Sequence, residues 1–445
     1  MKKRLSFVSL IPVLFFAALW LFGETGIYND SHQYIAMHIH REPLYPFFLW
    51  IFRTLLGEEH YLEAVRFLQN ALSAFSVIWL TECIRREFGL KELMALPICL
   101  LQLAPHVITP LFSASALVLT NGIISEALGL PLFYLFTAQV LKMIFEKKSG
   151  AAVSALLLSI LLSLTRGQMM AAILLWMVAV LAMLVPGRQW KRMIAVLLCT
   201  AAAFCCRSVL VKSYNLCFNG HFINNTFGGV GMLANVLYAA DRSDGERIED
   251  EKAREFFYLS FDLAWEQQAN YSYAPEGFLN RAAHLEQYHD MLKFDLIEEP
   301  WRAWHDREGF KDYILENVES DRVAQTITKS IFPAVAGRWL YDYLALSAFG
   351  LIRSVAVVHP VLNCFAVVCY VLLIALMGYT FYRNRKSRAV RAAAFALLAV
   401  AANVYATSMI IMCLSRYMIY GLPLFYIGGL LLLYENAERI FKKFF

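Results

Sequence analysis

Charge is scarce in this chain. Only 17% of the 445 residues are Asp, Glu, Lys or Arg, against about 25% in an ordinary soluble domain. Hydrophobic residues make up 59%, and the mean hydropathy is +0.52. This composition excludes a solvated globular enzyme. The alternating segments of a membrane barrel are also missing, so backbone in lipid must be satisfied within helices. The chain has no Walker pattern and no Ser-x-x-Lys. Its one glycine-rich run, Phe227-Gly228-Gly229-Val230-Gly231, lacks the strand–turn–helix setting of a phosphate loop. Nine cysteines lie mostly inside hydrophobic runs, with neither metal spacing nor a disulfide framework. The net charge of +5 comes from short basic clusters and signals topology, not affinity for nucleic acid.

What the chain does have is hydrophobic runs near the roughly 20 residues that cross a bilayer. The sequence predicts an all-α integral membrane protein, a polytopic bundle of about ten transmembrane helices. They fall near 5–23, 62–83, 93–105, 123–141, 150–164, 169–186, 193–211, 355–381, 393–413 and 419–435. Lys2-Lys3-Arg4 and the run behind them read as an uncleaved first helix, since no small-x-small cleavage site follows. Two short interfacial helices, about 30–40 and 45–56, are expected in the first outer loop, broken near Pro43 and Pro46. Residues 105–122, with Pro105, Pro110, Asn121 and Gly122, read as a broken, partly re-entrant stretch.

Basic clusters at 2–4, 85–91, 142–148, 188–192, 383–391 and 439–443 all fall on one side of this scheme. The positive-inside rule makes that side, and both termini, cytoplasmic, in a multi-pass plasma-membrane protein. Residues 1–213 then form an N-terminal transmembrane module with an outer loop at 24–61. Residues 214–336 form an extracytoplasmic helical insertion, and 337–445 a C-terminal module of three helices. The insertion is acidic: 214–330 holds 21 of the chain's 35 acids and 11 basic residues.

The same scheme gathers the ionisable candidates on the outer face. Asp30 suits a general base that takes a proton from an acceptor hydroxyl. It equally suits a helix N-cap, since Asn29-Asp30-Ser31 precedes a short helix. Arg166 and Arg416 sit at outer helix ends, where planar guanidinium groups hold phosphate or snorkel to headgroups. Glu126, just inside the fourth helix, is a functional candidate facing a membrane cavity or a first-turn partner of the helix dipole. His32, His38 and His40 invite a metal reading, but His38 and His40 are two apart and lie on different sides of a helix. No metal or other cofactor is assigned. Asn224-Asn225-Thr226 and Asn270-Tyr271-Ser272 invite comparison with a glycan acceptor pattern and receive no role.

The order of these pieces resembles the GT-C fold of membrane glycosyltransferases, such as the protein mannosyltransferases and the lipid A aminoarabinose transferases. The family carries an acidic residue soon after helix one, then a Tyr and an Ala, then Arg-x-Pro-x-Tyr-Pro. Here these are Asp30, Tyr34, Ala36 and Arg41-Glu42-Pro43-Leu44-Tyr45-Pro46. Leu164-Thr165-Arg166 and the Ser415-Arg416-Tyr417 stretch leading to Leu422-Pro423 also look like family features. Many relatives have a paired Asp-Glu in the first loop, where Asp30 is here followed by Ser31. That departure counts against a mechanism built on two adjacent carboxylates.

The resemblance implies a polyprenyl-phosphate-linked sugar as donor and a glycan, lipid or protein hydroxyl as acceptor. Asp30 would be the catalytic base, with inversion at the anomeric carbon. Arg166, Arg416 and Arg41 would bind the donor phosphate. Tyr34, Glu126, Tyr45 and Tyr417 would contact substrate, and an apolar groove beside Tyr45–Trp50 would take the lipid tail. Two alternatives stay open. A membrane polysaccharide polymerase or ligase also has about ten helices and a large outer loop, but places its key arginines in that loop. A lipid-linked sugar transporter or flippase would show two similar halves, and no repeat relates 1–210 to 330–445.

Overall fold

The computed structural model describes residues 7–112, 118–226, 228–307 and 313–444. All regular structure among them is helical apart from one isolated bridge, Gly26 to Gly122. In chain order the first helices are α1 (Phe7–Phe22), α2 (Ser31–Ile35), α3 (Leu44–Leu56), α4 (Tyr61–Glu87) and α5 (Glu92–Phe112). Then come α6 (Glu126–Glu146), α7 (Ser149–Ser163), α8 (Ala171–Leu184) and α9 (Trp190–Asn219). The polar stretch gives α10 (Gly228–Tyr238), α11 (Glu251–Glu266), α12 (Phe278–Asp290), α13 (Glu299–Arg307) and α14 (Tyr313–Arg353). The chain closes with α15 (Pro360–Arg383), α16 (Arg388–Ser408), α17 (Ser415–Met418) and α18 (Gly421–Phe444).

Among the described residues, each expected hydrophobic segment is mostly or wholly helical. Among the described residues seven helical stretches are long and apolar enough to cross a membrane: Tyr61–Glu87, Glu92–Leu111, Glu126–Glu146, Gly167–Gly187, Trp190–Asn219, Pro360–Arg383 and Arg388–Ser408. Apolar side chains such as Val361, Val367, Val371 and Leu372 on α15, and Ile194 and Leu198 on α9, are exposed. Exposed apolar faces of this extent suit lipid contact. Residues 2–4 of the basic pattern lie outside the described residues.

Three expectations need correction. The first-loop helix expected at about 30–40 is only Ser31–Ile35, and the helix expected at 393–413 ends at Ser408. The third hydrophobic helix does not stop at Pro105: α5 runs on to Phe112 through Pro97, Pro105 and Pro110. Side-chain hydroxyls add donors to two carbonyls along its proline-rich part. Thr109 Oγ1 donates to the Pro105 carbonyl at 2.7 Å, and Tyr134 OH donates to Gln102 O at 3.0 Å. Residues 113–117 lie outside the described residues, so the re-entrant reading extends beyond them.

The chain forms two compact units. Unit 1 comprises residues 1–214, 353–403 and 415–445; unit 2 comprises 215–352 and 404–414. In unit 1, α4 and α6 form the centre, with α1, α3, α5 and α7 packed around them. Glycine allows close approach where α18 meets α16, since a Cβ on Gly428 would stand 3.1 Å from the Ala393 Cα. Small residues at such crossings are the usual device of helices packed in lipid.

The two ends of α6 differ chemically. Glu126 opens it, while Phe145 near its other end is covered by Arg388 and Arg391, whose guanidinium carbons lie 5.4 and 5.3 Å from the ring centroid. Nearby, Arg388 Nη1 donates to the Glu87 carbonyl at 2.6 Å, and Lys142 lies over Trp79 at 4.3 Å. The 21 residues of α6 put these ends about 30 Å apart, the thickness of a bilayer core.

Unit 2 is a helical body with a conventional apolar core that includes Phe256, Phe257, Leu285, Trp301 and Ile327. Several of its buried polar groups are matched across helices. Asp321 on α14 accepts the Gly229 N–H at the start of α10, at 2.6 Å. Asp342 pairs with Arg281 at 2.6 Å. Asn270 is buried and donates to the Tyr238 and Ala240 carbonyls, so its side chain closes a turn.

Candidate active site

The first loop is held to the α5–α6 connection by backbone. Gly26 N donates to Asn121 O and Ile123 N donates to Gly26 O, both at 2.9 Å. The Tyr28 ring lies across this junction, so a Cβ on Gly26 or on Gly122 would stand 2.8 Å from its atoms. Ser31 Oγ accepts the Tyr28 N–H and donates to the Ile123 carbonyl, both at 2.8 Å. Tyr34 OH donates to Ser125 Oγ at 2.9 Å. One face of α2 is thereby fixed against the start of α6.

Asp30 does not cap α2 with its side chain. The Asp30 backbone is already helical, at φ −69° and ψ −24°, and its carboxylate turns to arginines instead. Arg41 Nη2 reaches Asp30 Oδ1 at 2.8 Å, and Arg416 Nη2 reaches Asp30 Oδ2 at 2.9 Å. Arg41 is returned toward α2 by a tight turn after Ile35, where Met37 adopts φ +55°. Its Nε donates to Gln33 Oε1 at 2.7 Å. Arg416 lies on α17, steadied by Asn403 Nδ2 donating to the Tyr417 carbonyl at 2.8 Å.

Glu126 is fully buried and anchors the other half of the cluster. Arg166 Nη1 lies 2.6 Å from Glu126 Oε1, and Arg416 Nε lies 3.9 Å from the same oxygen. Arg166 also donates to Ser125 Oγ at 3.2 Å. Tyr417 packs between the two arginines, its ring centroid 4.4 Å from the Arg166 guanidinium carbon and 4.9 Å from that of Arg416. Its hydroxyl accepts from Arg416 Nη2 at 2.8 Å. The turn carrying Arg166 is tied to the first loop, as Leu44 N donates to the Leu164 carbonyl at 2.9 Å.

Asp30, Arg41, Tyr34, Glu126, Arg166, Arg416 and Tyr417 therefore form one connected cluster, although they span nearly the whole sequence. Tyr45 lies one layer behind. It is fully buried, its ring stands edge-on to Tyr34 at 5.1 Å, and its hydroxyl donates to Gln69 Oε1 at 2.7 Å. As placed, Tyr45 supports Tyr34 and does not face the cluster. His38 and His40 meet each other, with ring centroids 4.4 Å apart. Among the described residues no group of three or more His, Cys, Asp or Glu side chains gathers as a metal site.

Sequence reasoning missed Ser125, which links Tyr34, Arg166 and Glu126. It also missed the pairing of Glu42, next to Arg41, with Arg207 of α9. Arg207 carried a signal, being an arginine inside an otherwise apolar helix. Such a charge needs a partner.

Electrostatics favour the ionised carboxylate. Partial burial penalises charge on Asp30, but Arg41, Arg416 and Arg166 outweigh it and hold the carboxyl at about 2, below its usual 3.8. The cluster has one guanidinium in excess, three arginines facing two carboxylates. It is suited to receive an anion. No family model, curated protein or solved structure matches the chain.

Proposed function

We propose that this protein is a membrane glycosyltransferase of the GT-C type. It would move a sugar from a polyprenyl-phosphate carrier to an acceptor hydroxyl, with inversion. The observation that carries this reading is the Asp30 carboxylate bracketed by Arg41 and Arg416, beside the Arg166–Glu126 pair. A carboxylate among arginines supplies both a base and a phosphate grip in one place. Under this reading all ten hydrophobic helices belong to the membrane scaffold, and the Asp30 end faces outward because the opposite end carries the basic clusters.

In the resting cluster Asp30 is a weak base, because its arginines stabilise the anion. A donor phosphate changes that. Its oxygens compete for Arg416 and Arg166, and a carboxylate that loses a cationic partner gains proton affinity. Asp30 then takes the acceptor O–H proton as the acceptor oxygen bonds to the anomeric carbon. The bond from that carbon to the phosphate oxygen breaks, and its electron pair leaves on the polyprenyl phosphate. Arg166 and Arg416 stabilise the departing charge.

The test is sugar transfer by purified protein in lipid vesicles, with a panel of polyprenyl-phosphate sugars. Wild type should release free polyprenyl phosphate, and Asp30→Asn should still fold, its melting temperature lowered only by the loss of the Asp30 ion pairs, yet lose at least 100-fold in rate. Full activity in the Asn variant would remove Asp30 as base and turn attention to Glu126.

A further inference from the structure

Arg416 has a second environment. Beside the cluster lies an apolar cavity of 140 Å³ lined by Pro105, Ile108 and Thr109 of α5, by Val355 and Val357 after α14, and by Ile419 and Leu422. Two cations border it, Arg416 and Arg353, the last residue of α14. Arg416 has capacity to spare: its Nη2 serves Asp30 and Tyr417, while its buried Nε stands 3.9 Å from Glu126 Oε1 and makes no hydrogen bond. A guanidinium paired at that distance keeps donor capacity for a further acceptor.

An apolar chamber with arginines at its border matches a molecule that is apolar at one end and anionic at the other. The volume narrows the choice. A cavity near 150 Å³ holds about one benzene ring, so this one accepts a five-carbon unit and not two acyl chains side by side. We propose that the cavity receives the first isoprene unit of a single-chain lipid phosphate, whose phosphate lies between Arg416 and Arg353. This rests on the donor reading above and deepens it. Arg353 becomes a phosphate ligand, and the lipid enters beside α5 instead of along Tyr45–Trp50.

Binding of tritiated polyprenyl monophosphate to the full chain in nanodiscs tests this, with dioleoyl phosphatidate as the two-chain comparison. Arg353→Gln should weaken polyprenyl phosphate binding at least tenfold, and Arg353→Lys should recover part of it. Ile108→Trp, which fills the cavity, should weaken binding to a similar degree. Val357→Trp serves as a second filling variant should Ile108→Trp lower the melting temperature. If wild type binds polyprenyl phosphate and none of these changes alters the affinity, the cavity assignment is wrong while the donor reading survives. If wild type binds phosphatidate and not polyprenyl phosphate, both the single-chain assignment and the donor reading fall.

Discussion

Asp30 shows how one side chain's role depends on its neighbour's. Asp is a good N-cap, but here the Asp30 backbone is helical and its carboxylate pairs with Arg41 and Arg416. The pH consequences have a definite sign. The folded-state pKa of about 2 lies below the usual 3.8, so the stabilisation Asp30 supplies is complete above pH 4. That stabilisation, about 2 kcal/mol, is lost as pH falls toward 2. In steady-state kinetics kcat/KM reports the free enzyme and kcat the complex. An acid limb due to Asp30 should therefore appear in kcat, where phosphate has drawn the arginines off, and be absent from kcat/KM above pH 4. Equal acid limbs in both would mean that the donor leaves Asp30's surroundings unchanged. Glu42 and Arg207 make a different prediction. Both are largely buried, with side chains 11% and 13% exposed. Arg207→Leu strands a buried carboxylate and should cost about 3–5 kcal/mol, while Glu42→Leu combined with Arg207→Leu should cost less. Thermal unfolding in detergent, run as a double-mutant cycle, measures the difference.

At the scale of elements, hydropathy told most of the story. Each long apolar run became a helix because a chain in lipid has few other ways to pair its backbone. The ends were less legible. Proline usually marks a helix boundary, yet α5 passes three of them, which shows that packing overrides the local rule there. Within the polar stretch, α14 extends for 41 residues. The boundary expected between residues 336 and 337 falls inside this helix, so its continuity was invisible to composition. Asp30, Arg41, Arg166 and Arg416 were legible from their recurring position at one face. The burial of Tyr45 was not, because it depends on Gln69, a residue with no motif of its own. Helix packing gives a clean contrast between two glycines. Gly428→Leu drives bulk into the Ala393 backbone and should destabilise by about 1–3 kcal/mol or more, whereas nothing lies within 4 Å of a Cβ on Gly378. Gly378→Leu on α15 should be neutral or slightly stabilising through helix propensity. Melting temperatures of the two variants decide it.

For the molecule as a whole, the proposed orientation is directly measurable. In a cysteine-free background that keeps the fold, Glu59→Cys near the Asp30 end should react with an impermeant maleimide added to intact cells. Lys148→Cys at the basic end should react only after the membrane is opened; the reverse pattern would invert the topology. The division into two units also has a consequence for the site. The chain passes between the units four times, after residues 214, 352, 403 and 414. Arg353 and Arg416, which border the cavity, both fall in unit 1, with Asp30, Arg41 and Arg166. Every residue proposed to handle phosphate is therefore carried by one unit, and the buried ion pair of unit 2, Arg281 with Asp342, is left with no part in the donor's chemistry.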